Sequence, residues 1–359
     1  MAFFWNRPQA APPPGIRTDQ ARSARLDDFL ASQIEGGSPG LALAVTSGGA
    51  VVHAAGYGLA DLRAKSPISQ DTIFHLASCG KQFTGLGILM LAEERRLSVD
   101  DPIGKHLPPL GRYGPEVTIR QLLHHTSGVR DFYDEKGIDE VLARCERPTN
   151  DDMVRIYAEL GCPMSERGIR PGDKYEYSNS GYDLLGTMIE HVSGESYHDF
   201  FQRRVFDRLG MKDTFSAPDR RMEDPRCATG YDLDGRRFVS PEGTEFDDLV
   251  GSGSFYTTVN DLCIYDEALR TNALVSEASM RAANTSGQTN DGTPTNYGFG
   301  WMLGNYEGLR FAEHEGQWIG FHSYIGRSLD RPLSIFALAN RSDANLIDLA
   351  NTILATYRE

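Results

Sequence analysis

A serine three residues ahead of a lysine, in Ser78-Cys79-Gly80-Lys81, is the pair in this sequence with the most direct chemical potential. On a helix, residues three apart lie on one face, so the lysine amine would point back towards the serine hydroxyl. A serine needs a base within hydrogen-bond reach, and a lysine whose charge is disfavoured by burial can be that base. The serine amide at a helix start would also be free to bind an oxyanion. The alternative is that Ser78 simply caps the helix.

A second polar group lies much further along the chain, in Tyr177-Ser178-Asn179. A tyrosine near a lysine can share its proton, and we expect this group on a loop that leads into a helix. The alternative is a loop tyrosine that covers the core, with Asn179 as a turn residue or a cap.

The hydrophobic periodicity predicts elements that could position these residues. Predicted helices cover residues 18–34, 82–93, 184–192, 197–209 and 344–357, and Gly210 closes the fourth. Predicted strands cover residues 41–45 and 51–55, joined by a turn at Gly48-Gly49, and residues 297–303, 309–313, 321–326 and 333–339.

The order of these elements predicts an α+β fold, in which antiparallel strands from both ends of the chain meet in one sheet flanked by the terminal helices. We expect a flexible tail at 1–17, a sheet domain from 18–75 and 251–359, and a mostly helical domain at 76–250. The cleft between the two domains is the expected place for a site.

The composition narrows the possible partners. The 359 residues carry a formal charge of −14, which disfavours nucleic acid and anionic membranes as partners. No apolar run approaches the roughly 20 residues of a membrane helix. The tail's apolar core is too short for a signal segment, so a cytoplasmic location is expected. A membrane-touching role for Phe3, Phe4 and Trp5 is the alternative.

The cysteines and histidines do not suggest a metal site or a disulfide framework. The five cysteines are odd in number, scattered and without metal spacing, which suits a reduced compartment. His124-His125 is interpreted as a helix end and loop rather than a metal site or a triad base. Ser38, in a G-x-S-x-G match, follows a helix and precedes a strand, which is the reverse of a nucleophile elbow. No cofactor is expected, and the oligomeric state is left open.

Three motifs resemble those of the serine β-lactamase-related superfamily: Ser78 to Lys81, Tyr177 to Asn179, and His314-Glu315-Gly316. The chain is most similar in them to class C β-lactamases, penicillin-binding proteins and, closest, the family VIII carboxylesterases. The first two motifs match Ser78 to Lys81 and Tyr177 to Asn179, and the third takes its His-x-Gly form. Further similarity lies at residues 122–128, 209–211 and 297–301, and it covers residues 25–340.

The resemblance implies a β-lactamase-like fold and a role for each matched residue. Ser78 would attack a carbonyl and become acylated, with Lys81 and Tyr177 moving its proton. Asn179 would hydrogen-bond Lys81 or the acyl group, and the amides of Ser78 and Gln317 would form the oxyanion hole.

Other residues are expected near the substrate. Thr126 and Ser127 are expected to line the cleft wall, and the third motif would place His314 and Gly316 opposite the serine. Trp318 is assigned either to the wall of the acyl pocket or to the core.

The third motif also bears on the substrate. His314 stands where β-lactam-binding relatives carry a lysine, and a histidine is largely neutral near pH 7. This favours a small-molecule substrate, a small uncharged carboxylic ester. The alternatives are a D-stereospecific aminopeptidase or amidase, a DD-peptidase-like enzyme with weak β-lactamase activity, transacylation onto an alcohol, and a non-enzymatic scaffold.

Overall fold

The computed structural model describes residues 20–111, 117–160, 169–216, 223–241 and 243–357. The predicted tail, with Phe3, Phe4 and Trp5, lies outside these ranges. The described strands are β1 Leu41–Ser47, β2 Ala50–Tyr57, β3 Leu59–Asp61, β4 Ser66–Pro67, β5 Phe74–His75, β6 Asp232–Asp234, β7 Arg237–Val239, β8 Tyr256–Thr257, β9 Met302–Tyr306, β10 Leu309–Trp318, β11 Phe321–Ser328 and β12 Leu333–Ala339.

The helices of the same ranges surround these strands. The α-helices are α1 Gln20–Gln33, α2 Lys81–Glu93, α3 Ile103–His106, α4 Ile119–Leu123, α5 Glu135–Leu142, α6 Asn150–Leu160, α7 Asn179–Ser193, α8 Tyr197–Phe201, α9 Asp207–Leu209, α10 Val259–Arg270, α11 Glu277–Ala283 and α12 Leu346–Thr356. Shorter turns are two 3-10 turns, Ala77–Gly80 and Pro108–Leu110, and a π-helical turn, Gln202–Phe206. None of the helices in the described ranges has the length and apolarity to span a bilayer.

Strands from both ends of the chain share one antiparallel sheet. Within the described residues it has six strands in the order β2-β1-β12-β11-β10-β9. The first strand pairs with the last, so that Leu41 lies opposite Ala339 and Ser47 opposite Leu333. The predicted hairpin of β1 and β2 is confirmed, with Gly48 and Gly49 both at positive φ, as its two-residue turn requires.

The two faces of strand β1 carry side chains of different size. In β1, Leu41, Leu43 and Val45 belong to one apolar cluster, which also holds α1 and α12 residues. The alternate residues Ala42 and Ala44 face the other side of the sheet. They belong to the larger apolar cluster, which includes side chains from most of the helices. This period of two is that of a strand buried on both faces. The small alanines allow the helical layer to pack closely.

Helix α2 runs through the centre of this helical layer, and every residue from 81 to 91 is buried. A helix that is apolar on all sides requires neighbours on all sides. A Cβ on Gly85 would lie 2.6 Å from the Phe299 carbonyl oxygen, so the glycine is what allows this approach. The start of α2 is thereby fixed in the core.

Three predicted elements differ from the structure. The predicted strand 297–303 is largely wrong, because the Gly298 amide donates to the Trp301 carbonyl in a turn and β9 begins at Met302. The predicted helix 184–192 begins earlier, at Asn179, because the Ser178 side chain accepts from the Gly181 amide as its N-cap. The predicted helix 197–209 is present as three consecutive segments and ends, as expected, at Gly210.

Candidate active site

Ser78 lies in the 3-10 turn Ala77–Gly80, which continues directly into α2 at Lys81. The preceding residue, Ala77, has a φ of +47°, in the left-handed region. Strain of this kind in a non-glycine residue is concentrated at functional sites. No side-chain cap is present at the start of this turn or of α2, so Ser78 is not a capping residue. It is half-buried and lines a cavity of about 90 Å³.

Lys81 is completely buried, and its amine contacts three oxygen atoms. Its Nζ lies 3.0 Å from Ser78 Oγ, 2.7 Å from Asn179 Oδ1 and 2.7 Å from the carbonyl oxygen of Ser252. The last two oxygens can accept hydrogen bonds but cannot donate them. A neutral amine therefore gives its two hydrogens to these acceptors and directs its lone pair at the Ser78 hydroxyl. This geometry allows Lys81 to take the serine proton.

The protonation of Lys81 is set by burial and by two carboxyl groups. Burial lowers the pKa of Lys81 to about 7, while the charges of Asp183 and Asp131 raise it. A lysine with this pKa is available as a base near neutral pH. Burial also raises the pKa of Asp183, and the charge of Lys81 opposes that shift. Lys81 and Asp183 therefore form a coupled buried pair.

The two carboxyl groups hold the partners of Lys81 in place. Asp183 Oδ1 accepts from the Ser252 amide at 3.2 Å, and its Oδ2 accepts from the Tyr133 hydroxyl at 3.0 Å. Asp131 Oδ2 accepts from Asn179 Nδ2 at 3.3 Å, which fixes the side-chain amide so that its oxygen faces the lysine. The two acceptors of Lys81, the Asn179 amide oxygen and the Ser252 carbonyl, are thus each held by a carboxyl group.

Tyr177 lies just before α7 and packs close to the serine and the lysine. The centre of its ring is 4.9 Å from Lys81 Nζ and 4.3 Å from the ring centre of His125. Burial raises the pKa of Tyr177 far above its ordinary value, and a hydrogen bond with the Ser78 hydroxyl opposes this shift. The phenol is therefore neutral and lies close to Ser78.

At Gly316, strand β10 passes against the turn that carries Ser78. A Cβ on Gly316 would lie 2.7 Å from the Ser78 amide nitrogen and 2.6 Å from the Leu76 carbonyl oxygen. Such distances are too short for any side chain, so this approach requires glycine.

The next residue, Gln317, presents its amide to the open side of the strand. The hairpin of β10 and β11 has a two-residue turn, so Trp318 and Phe321 form the hydrogen-bonded pair that closes it. Alternation then directs the Gln317 amide away from β11. On that side, β9 pairs with β10 only as far as Glu313. The Ser78 and Gln317 amides are therefore placed as two donors beside the serine.

His314 lies on β10 and is almost fully buried. Its Nδ1 lies 2.6 Å from the Glu315 carbonyl oxygen, so Nδ1 donates there and Nε2 accepts from the Tyr297 hydroxyl at 2.9 Å. Burial, reinforced by the charge of Lys81, lowers the pKa of His314 to about 3. His314 is neutral, and both of its nitrogens are occupied by the protein.

The cavity beside Ser78 is walled by aromatic and small polar residues. Among the described residues, the lining of this cavity contains no lysine and no arginine. The lining residues are His75, Ala77, Ser78, Tyr133, Asn179, Phe246, Asp247, Leu249, Ser252, Gly253, Ser254, Tyr256, Gln317 and Trp318. Trp318 therefore faces the cavity. Thr126 and Ser127 are buried and do not line it, and Thr126 instead lines a shallow groove on another part of the surface.

The other residues singled out in the sequence lie apart from this cavity. Ser38 is in the loop before β1, where its hydroxyl donates to the Glu35 carbonyl. His124 Nδ1 donates to the Tyr297 carbonyl, and His125 Nδ1 accepts from the Ser178 amide. The described residues contain no group of acidic, histidine or cysteine side chains arranged to hold a metal ion.

Sequence reasoning missed the Ser252 carbonyl and the carboxyl groups of Asp131 and Asp183. A backbone carbonyl has no side-chain signature, although the run Gly251-Ser-Gly-Ser254 indicates a close backbone approach. A Cβ on Gly253 would indeed lie 2.6 Å from the Ala77 carbonyl oxygen. Nothing in the sequence distinguishes the two aspartates from those on the surface.

Comparison with known proteins identifies the family of this chain. A family model described as Beta-lactamase matches residues 20–356. The chain belongs to the beta-lactamase family. This family member is 32% identical over 316 residues to Penicillin-binding protein 4* of Bacillus subtilis (strain 168), a match that spans 82% of this chain and 67% of that protein.

Solved structures show the same fold. An octameric penicillin-binding protein homologue from Pyrococcus abyssi has a TM-score of 0.79 and 28% identity, with 93% of this chain and 77% of that chain covered. A D-amino acid amidase from Ochrobactrum anthropi SV3, complexed with L-phenylalanine amide, has a TM-score of 0.71 and 24% identity over 95% of this chain and 98% of that one. The predicted β-lactamase-like α+β fold and membership of this serine hydrolase superfamily are confirmed.

Proposed function

We propose that this member of the beta-lactamase family hydrolyses small carboxylic esters through an acyl-enzyme on Ser78. The observation that carries the proposal is the convergence of the Ser78 hydroxyl, the buried Lys81 amine and the Tyr177 phenol beside a cavity. A nucleophile that contacts a base of pKa about 7 is the arrangement that acyl transfer requires.

The reaction follows from the positions of these groups. Ser78 Oγ attacks the ester carbonyl carbon while its proton moves to Lys81 Nζ. The Ser78 and Gln317 amides bind the resulting oxyanion. The proton then passes to the departing alkoxide, with the Tyr177 phenol as the relay beside Ser78. A water molecule attacks the acyl-enzyme, Lys81 takes its proton, and the acid leaves as Ser78 is regenerated.

The surroundings of the cavity support an ester without an anionic group. A β-lactam carboxylate calls for a fixed cation, whereas His314 is neutral and the described lining contains no lysine or arginine. A preference like that of the family VIII carboxylesterases is part of this proposal.

The test is turnover of para-nitrophenyl butanoate by the wild type and by Ser78→Ala. We expect turnover to fall to the uncatalysed background in Ser78→Ala and to persist in Ser38→Ala, which removes a surface hydroxyl. A fluorophosphonate probe should modify the wild type at Ser78, as mapped by peptide mass spectrometry. An active Ser78→Ala variant, or folded wild type that remains unlabelled, would refute the proposal and favour a non-catalytic scaffold.

A further inference from the structure

Asp247 brings an unpaired carboxylate into the cavity that contains Ser78. Its Oδ1 accepts from the Thr244 hydroxyl at 2.9 Å and from Trp318 Nε1 at 3.3 Å. Its Oδ2 accepts from the Thr244 amide at 3.0 Å. Counting the residues that the structure describes, no lysine, arginine or histidine forms an ion pair with it. A lone pair on Oδ2 is therefore left for a donor from outside the chain.

The position of this carboxylate is fixed by its surroundings. A Cβ on Gly243 would lie 2.7 Å from Asp247 Oδ2, so the turn of residues 243–247 closes tightly around the carboxylate. The indole that donates to it belongs to Trp318, the neighbour of Gln317 on β10. The carboxylate is thus hydrogen-bonded to the residue that follows Gln317, the proposed oxyanion donor.

Aromatic rings form the wall beside Asp247. The Tyr133 ring centre lies 5.4 Å from that of Phe246 and 6.0 Å from that of Trp318, and all three side chains line the cavity. Aromatic faces attract a cation through the ring quadrupole, and a carboxylate accepts charge-assisted hydrogen bonds from an ammonium group. A carboxylate among aromatic rings therefore favours a positively charged group over a neutral or an anionic one.

We propose that Asp247 binds an ammonium group on the acyl part of the substrate, so that the preferred acyl donors are esters or amides of small amino acids. The inference rests on the proposed acylation of Ser78 and adds the class of acyl group. The acyl part is assigned because it stays bonded to Ser78 through both steps, in the same cavity as Asp247. The simpler role of Asp247 is to close the turn through the Thr244 amide, and the experiment below separates the two roles.

Two para-nitrophenyl esters of equal size provide the test. The β-alanine ester carries an ammonium group where the butanoate ester carries a methyl group, and both release the same leaving group. We expect the wild type to have the higher kcat/KM for the β-alanine ester, after subtraction of the uncatalysed rate. In Asp247→Asn the ratio of the two kcat/KM values should fall about tenfold.

Asp248→Asn is the matched control, because it removes the same charge one residue away. Asp248 pairs with Arg147 at 2.8 Å and does not line the cavity, so this variant should keep the wild-type ratio. Raising the ionic strength should lower the ratio in the wild type and leave it constant in Asp247→Asn, because salt screens the charge interaction. The salt series on the wild type needs no variant, so it tests the charge interaction even if Asp247→Asn unfolds.

The outcomes distinguish this inference from the proposed function. An equal ratio in the wild type and Asp247→Asn, with no salt dependence, would overturn the ammonium site while ester hydrolysis on Ser78 stands. Loss of both activities in Asp247→Asn, with a lowered melting temperature and no salt dependence in the wild type, would assign Asp247 to the turn alone. If the wild type cleaves neither of the two esters, both the ammonium site and ester hydrolysis on Ser78 are refuted.

Discussion

Replacing Gly316 by alanine should disable the proposed oxyanion site without replacing any polar side chain. The added Cβ would lie 2.7 Å from the Ser78 amide nitrogen, whereas ordinary contacts of this kind begin at 3.4 Å. Its two nearest neighbours, the Leu76 carbonyl oxygen and the Ser78 nitrogen, are backbone atoms, so no rotamer change can relieve the overlap; the third is Ser323 Oγ at 2.9 Å. The turn that carries Ser78 and strand β10 must therefore separate by about 0.7 Å.

That separation determines the size of the expected effect. Oxyanion donors act at about 2.7–3.1 Å, so a shift of this size weakens one donor severely. Loss of one donor lowers kcat by about 10²–10³-fold. Because the oxyanion develops only in the transition state, we expect the effect in kcat rather than in KM.

The assay is steady-state turnover of para-nitrophenyl butanoate, with the melting temperature as a check on folding. Gly36→Ala is the matched control, since a Cβ there meets nothing within 4 Å and the residue has no positive φ. It should retain wild-type kcat. A folded Gly316→Ala variant whose kcat stays within about threefold of the wild type would show that the close approach of β10 is not needed for catalysis.

Two further predictions concern protonation and stability. The kcat/KM for the butanoate ester should rise with pH through about 7, because only the neutral amine of Lys81 can take the Ser78 proton. Asp183→Asn should move the midpoint of this rise to lower pH by about one unit, since a charge that raises the pKa of Lys81 is removed. A midpoint that stays unchanged or moves to higher pH would contradict this. Asp266→Asn should lower the free energy of unfolding in urea by about 3–5 kcal/mol, because it weakens a buried pair with Arg327 at 2.9 Å. A loss below about 1 kcal/mol would contradict that expectation.

The features that were predicted best from the sequence are those that depend on residues close together in the chain. Ser78 and Lys81 are three residues apart, so helical geometry alone brings their side chains together. The hairpin of β1 and β2 followed from two glycines between apolar runs. Tyr177 and Asn179 could be placed beside the pair only through the family resemblance, because their spacing contains no information about a contact so distant in the chain.

What the sequence could not supply was decided by tertiary packing. Residues 297–301 alternate aromatic and glycine residues, which imitates the period of a strand, but Gly300 lies against the backbone of Lys81 and the segment turns there. Thr126 and Ser127 were assigned to the cleft wall by resemblance, yet both are buried away from the described cavity. The carboxyl groups of Asp131 and Asp183 act through other residues, and no local pattern marks such a role.

The pairing of β1 with β12 has a consequence for how the protein is made. Strand β12 lies between β1 and β11, so the first hairpin cannot join the rest of the sheet until the final strand has left the ribosome. Until then β1 has β2 on one edge and no strand on the other, and such free edges invite pairing between nascent chains. The full sheet of this hydrolase should therefore assemble only after β12 has been synthesised.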